Sequence, residues 1–291
     1  MKLLKFIPCL IAALILGSCS SSDSDGGGSS SNSFTYNYDG HSVNLNAILA
    51  QKSENTLVVS GTASNGEAIE FVFNKFGNLG TVSSFSVSDF DFPDSQNYMN
   101  YSSHYFTFNL VSIDEANKKV HVTFSGDLHE DAYDLDSPTH TVSGEFNVTY
   151  TEVTPAVAGL ETYCKIGGND WYSTNSATTN GTTMDYFVLD ESNDGANSIY
   201  LSFDSFNNGP GTYTFTNTTN TTYARLVKFD PATVSFKQYK CAGTMTVTSK
   251  TSAGFVGYYI EGTYSFTATN PSNSADVIQV TNGRFKSYYS W

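Results

Sequence analysis

Ile69-Glu70-Phe71-Val72-Phe73 sets a large apolar residue at every second position. A strand turns successive side chains to opposite faces, so this stretch reads as a half-buried β-strand with one dry face. Val120-x-Val122-x-Phe124, Ile199-x-Leu201-x-Phe203, Tyr213-x-Phe215, Met245-x-Val247 and Tyr264-x-Phe266 read the same way. Their intervening positions mostly carry Thr, Ser, Asn or charge. Ser64-Asn65-Gly66, Asn180-Gly181 and Asn193-Asp194-Gly195 supply hairpin turns, because Asn, Asp and Gly tolerate the positive φ of tight connections. Beyond the N-terminal segment no stretch carries a helical period. The expected fold is all-β: antiparallel meanders of about eight to ten strands per module, packed as sandwiches or closed as barrels.

Composition agrees. Among 291 residues, 21 Phe, 19 Tyr and 2 Trp supply enough apolar area to offset chain ordering. Lys and Arg together number 14 against 28 Asp and Glu, a formal charge of −14, which argues against a nucleic-acid partner.

Landmarks recur in order through the chain, as expected of an internal repeat. Tyr38-Asp39-Gly40-His41-Ser42-Val43 corresponds to Ile166-Gly167-Gly168-Asn169-Asp170-Trp171. Ile69, Phe71, Phe73 and Phe76 correspond at an offset of 130 to Ile199, Leu201, Phe203 and Phe206, with Gly66 matching Gly195 one residue out. Gly80-Thr81 corresponds to Gly211-Thr212, and Ser143-Gly144-Glu145-Phe146-Asn147-Val148 to Glu261-Gly262-Thr263-Tyr264-Ser265-Phe266. Two tandem modules are expected, 34–152 and 160–291, joined by a linker at 153–159. Val277 to Phe285 has no evident counterpart after Val148.

The N-terminus gives an address. Lys2 and Lys5 precede an eleven-residue apolar run, Phe6 to Leu16, too short to span a bilayer. Leu16-Gly17-Ser18-Cys19 follows it and resembles a bacterial lipobox, which implies removal of residues 1–18 and lipidation of Cys19. Residues 19–33, rich in Ser, Gly and Asp, read as a flexible tether of roughly 20 Å span. Asp23 and Asp25 resemble the export signal that sends lipoproteins of Bacteroidota to the outer face of the outer membrane; a periplasmic face is the alternative. Without residues 1–18 the charge becomes −16, of which residues 34–152, with 4 basic and 16 acidic residues, carry −12. All five histidines lie in that segment too. Such a surface steers cations or basic partners.

Ile166-Gly167-Gly168-Asn169-Asp170-Trp171, Gly211-Thr212-Tyr213, Ala242-Gly243-Thr244-Met245-Thr246-Val247, Gly262-Thr263-Tyr264-Ser265-Phe266 and Val280-Thr281-Asn282-Gly283-Arg284-Phe285 resemble a β domain of Bacteroidota lipoproteins. That domain has no assigned activity; its pattern runs N-G-x-x-W, G-T-Y, S-G-T-x-x-I-T, G-T-F-S-F, I-T-N-G-x-F. The resemblance covers the second module and only loosely the first. It implies a surface-associated all-β fold and brings no catalytic residue.

Candidate chemistry is sparse. Asp190-Glu191-Ser192-Asn193-Asp194-Gly195 has the spacing of a calcium loop but Leu201 at its twelfth position, so a hairpin turn is the expectation. His129, Glu130, Asp131, Asp134, Asp136 and His140 crowd one loop and are candidate ligands for a divalent cation, set against an ordinary solvated loop. Trp171 and Tyr172 are candidates for stacking on a sugar ring, set against core duty. Cys164 and Cys241 either close a disulfide loop, contributing about 4 kcal/mol, or remain buried thiols. No nucleophile elbow, phosphate loop or C-x-x-C is present. The expected function is that of a non-enzymatic, lipid-anchored binding or structural protein of the outer membrane, with no required cofactor and a glycan or protein ligand. The alternative is a carbohydrate-binding accessory lipoprotein or a glycan hydrolase.

Overall fold

The computed structural model describes residues 32–89, 91–177, 187–193, 195–204, 207–215, 222–253 and 257–290. Cys19, Asp23, Asp25, Asn180-Gly181, Asp194, Phe206 and Trp291 lie outside them. The first module runs through β1 (Ser33–Tyr38), β2 (His41–Val43), β3 (Leu45–Ser53), β4 (Thr56–Ala63), β5 (Glu67–Asn74), β6 (Leu79–Ser86) and β7 (Ser95–Asn97). A single helical turn, α1 (Ser102–Tyr105), precedes β8 (Phe106–Asp114), β9 (Lys119–His129), β10 (Thr139–Thr149) and β11 (Thr151–Glu152). The second module comprises β12 (Glu161–Ile166), β13 (Asn169–Tyr172), β14 (Asn175–Ala177), β15 (Phe187–Asn193) and β16 (Asn197–Phe203). It continues through β17 (Gly211–Thr214), β18 (Tyr223–Asp230), β19 (Ser235–Ser252), β20 (Gly257–Asn270) and β21 (Asn273–Ser290).

The fold is all-β in two modules, each built on one sheet. The first sheet has 11 strands, in the order β11-β3-β4-β5-β6-β7-β9-β10-β1-β2 with β8 also on β9. The second has 10, in the order β13-β12-β21-β20-β19-β18-β16-β15-β14 with β17 also on β19. Every pairing is antiparallel except β11 on β3. Each module has its own core: one cluster draws on residues from Phe34 to Tyr150, the other on residues from Cys164 to Phe285. Neither core is two separate sheets face to face. In the first module Phe71 of β5 packs against Phe34 of β1, Phe124 of β9 and Phe146 of β10, with centroids 6.2, 4.5 and 5.3 Å away. Strands far apart along the sheet path therefore meet across its inner face, as in a sheet coiled over itself.

Sequence and register explain the coiling. Asp39 and Gly40, with φ of 47° and 80°, make the tight turn between β1 and β2. On β10, Gly144 lets the Phe124 ring lie over the strand; a Cβ there would sit 2.9 Å from that ring and 2.0 Å from the Thr35 carbonyl oxygen. On β21, Gly283 lies under Tyr264 in the same way, 2.6 Å from a would-be Cβ.

The two sheets run in parallel order. β1 and β2 form a hairpin beside the long strand β10, next to β9; β12 and β13 form one beside β21, next to β20. Gly144-Glu145-Phe146 thus holds the place of Gly283-Arg284-Phe285, and the expected match of Gly144 with Gly262 is one strand out of step. The closing segment Val277–Phe285 has its counterpart in β10. The expected linker is also bound down: Val153 N–H donates to the Lys52 carbonyl at 2.9 Å and Gly159 N–H to Glu54 Oε1 at 2.8 Å. Asn32–Trp291 forms one compact unit.

Candidate functional site

The acidic loop after β9 engages its own backbone. Asp131 Oδ1 accepts from Tyr133 N–H at 3.0 Å and Asp134 Oδ1 from Asp136 N–H at 2.9 Å, so these carboxylates cap the loop's own backbone. His129 is buried against Tyr98 and faces away from His140 on the neighbouring strand's register, where His140 pairs with Leu128. His140 Nδ1 lies 2.9 Å from Asp39 Oδ2 and its Nε2 lies 3.7 Å from Glu130 Oε1. That hydrogen bond to His140 holds the Asp39 carboxyl below its ordinary value. Among the described residues no group of three His, Cys, Asp or Glu side chains is placed to hold a metal. Asp190 to Asn193 belong to β15 and lead into a hairpin, as expected.

Trp171 is in the second core at 5% exposure, so it is not a stacking surface. Its strand parity decides this: Trp171 pairs with Cys164, and both point inward. Tyr172 points outward, but its ring is stacked on Phe76 of the first module, centroids 3.7 Å apart and 13° from parallel. Cys164 and Cys241 are both buried, as thiols and not as a disulfide. They stand on β12 and β19 with β21 and β20 between, three strand spacings or about 14 Å along the sheet, beyond disulfide reach along that path. Burial pushes the Cys241 thiol up to about 12.

The outward face of the same sheet holds a different arrangement. Register aligns Thr212, Thr246, Thr263, Arg284, Tyr163 and Tyr172 in one row across β17, β19, β20, β21, β12 and β13. At about 4.8 Å per strand the row is roughly 24 Å long. Thr214, Thr244 and Ser265 form a second, shorter row beside it. Thr212 and Thr246 hydroxyls are 2.9 Å apart. Cross-strand Thr pairs stabilise a sheet by about 0.2–1 kcal/mol each, yet here they also floor a depression. Thr244, Thr246, Thr263, Ser265, Asn282 and Arg284 surround a groove of about 450 Å³.

Arg284 borders this groove and a second of about 290 Å³. Its guanidinium lies 4.1 Å over the Tyr163 ring, and its Nε and Nη2 donate to Glu161 Oε1 at 3.2 and 3.0 Å. Glu161 Oε2 accepts from Asn55 of the first module at 2.8 Å. Lys286 pairs with Glu261 at 2.7 Å. Tyr163 donates to Asp170 at 2.6 Å, which raises the phenol to about 12 and lowers the carboxyl. The grooves thus present hydroxyls and an amide between neutralised ion pairs, a surface that can exchange hydrogen bonds with a neutral, hydroxyl-rich ligand. Sequence reasoning missed Arg284 and the Thr rows. The available signal was Arg284 itself, one of two arginines, at the variable position of a G-x-F triplet.

Compared with family models, curated proteins and solved structures, the chain matches none.

Proposed function

We propose that this chain is a lipid-anchored protein of the outer membrane that acts as a non-enzymatic binding module, with the outward face of its second sheet as the contact surface for a neutral glycan. The observation that carries the reading is the aligned row from Thr212 to Tyr172, of which Thr246, Thr263 and Arg284 line the groove. Hydroxyl donors and acceptors at strand spacing match a ligand of repeated hydroxyls. The acids of the grooves, Glu161 and Glu261, are each committed to a cation, which supports binding over general acid or base work. Lipobox and acidic tether support the anchor at Cys19 and surface display.

The test is a panel of soluble polysaccharides and host proteins presented to the full chain in detergent. A neutral polysaccharide is expected to bind, with Thr246→Val plus Thr263→Val weakening it at least tenfold at unchanged melting temperature. Absence of binding across the polysaccharides, or release of reducing sugar during incubation, overturns the reading.

A further inference from the structure

Away from the grooves, the outward face of the second sheet carries a pair of cations. Arg225 of β18 stands directly opposite Lys240 of β19, in a row that runs from Tyr200 of β16 through both to Thr269 of β20 and Val277 of β21. Alternation fixes the side: Ala224, Leu226, Tyr239 and Cys241 belong to the core, so Arg225 and Lys240 point away from it. Directly opposed residues have Cβ atoms about 4.5–5.5 Å apart, and like charges so placed destabilise a sheet.

A neighbouring carboxylate would relieve that repulsion, and the chain has 28 Asp and Glu to supply one. Seven other lysines and arginines are ion-paired. Arg225 and Lys240 have no acidic partner among the described residues. Their outward neighbours one step along β18, β19 and β20 are Tyr223, Val227, Gln238, Ala242 and Thr267, all uncharged. The sheet therefore bears a repulsion that nothing on its own face offsets.

Arg225 is also held in place. Its guanidinium lies 4.8 Å over the Tyr200 ring and 5.0 Å over the Tyr223 ring, and Nη2 donates to the Tyr223 hydroxyl at 3.2 Å. The two rings, stacked at 5.7 Å, orient the charge without neutralising it. A fixed, half-buried guanidinium beside an exposed ammonium is a seat for one oxyanion, which accepts charge-assisted hydrogen bonds from both. Gln238 borders the pair on one side. On the other, Thr267 donates to Gln279 Oε1 at 3.0 Å, which leaves the Gln279 amide N–H groups to donate outward. Such a border exchanges hydrogen bonds with sugar hydroxyls. We propose that Arg225 and Lys240 bind an acidic saccharide through a single carboxylate or sulfate group. Lys240 is four residues along β19 from Thr244, about 13 Å, so the site is separate from the neutral-glycan groove and does not depend on it.

Titration calorimetry of the full chain in detergent at low salt tests it. A galacturonic acid trimer and a sulfated galactose trimer are the probes; the methyl-esterified galacturonate trimer and sodium phosphate are the comparisons. Saturable heat is expected from at least one acidic trimer, the one that binds identifying the anion, and none from the methyl ester. Arg225→Gln and Lys240→Gln are each expected to weaken binding at least tenfold, whereas Thr246→Val plus Thr263→Val leaves it unchanged. Lys240→Glu, which turns the like-charge pair into an ion pair, is expected to abolish binding and to raise the urea midpoint of the unliganded protein. If Arg225→Gln does not fold, Lys240→Gln decides. Flat titrations with both acidic trimers overturn the proposal, as does equal affinity in Lys240→Gln. Phosphate binding as tightly as either trimer overturns the saccharide and leaves a free anion as the ligand.

Discussion

Glu67 ends a face of β5 whose other members are Ile69, Phe71 and Phe73, all fully buried. Burial raises its carboxyl above the ordinary 4.5, although Asn65 pulls the other way. A carboxyl whose folded value is raised binds its proton more tightly in the folded chain than in the unfolded one. Its ionised form therefore costs stability above that range, and the cost fades as pH falls through the raised value and is gone below 4.5. Glu67→Gln is accordingly expected to stabilise the free protein at pH 7 and to match it at pH 4. Urea denaturation at the two pH values checks this; a variant less stable at pH 7 contradicts it. Other residues show where single-sequence reading stops. The alternation of Phe71 with its neighbours was legible as a dry face, but Trp171 and Tyr172 sit side by side next to a turn. Which of the two turns inward depends on pairing with β12, and nothing local fixes that parity.

Among elements, the pairing of β10 with β9 and β1 shows how glycine and aromatic positions work together. Phe124 rests over Gly144, and Tyr264 over Gly283, so each long strand passes close beneath a ring from its neighbour. Gly144→Ala puts a methyl group 2.0 Å from the Thr35 carbonyl oxygen, which neither backbone nor ring can clear without opening the β1–β10 ladder. A loss of about 3 kcal/mol is expected, read as a lower urea midpoint at unchanged slope. Strand content and turn positions could be read from period and Gly-Asn signals. Strand order could not, because β10 pairs with a strand more than 100 residues earlier, and such partners leave no local trace. The Thr rows were hidden for the same reason: each Thr is an ordinary outward residue until register lines it up with the next.

At the scale of the whole molecule, the two cores share no residue, yet the modules are not beads on a string. Phe76 stacks on Tyr172, Asn55 donates to Glu161, Glu54 accepts from Gly159, and Tyr98 meets Phe229 at 6.1 Å. Tyr101 N–H donates to the Gly195 carbonyl as well. An aromatic stack contributes about 0.5–1.5 kcal/mol beyond its buried area, enough to couple two domains of modest stability. The intact chain is expected to melt in one calorimetric transition. Phe76→Ala is expected to split it in two; a single unsplit peak in the variant assigns the coupling elsewhere.

The β1–β10 ladder also has a mechanical meaning. Its first rung is Ser33 with Asn147, and the Asn32 side chain accepts from Thr149 N–H at 2.9 Å just beyond it. The chain enters β1 and leaves β10 for the second module at this same end. If the chain is anchored and loaded as proposed, tension between the N-terminus and the second module pulls the two strands apart from one end, loading one rung at a time as in a zipper. The Asn32 clasp is the first to feel that pull, and the contacts between modules divert part of it around the ladder.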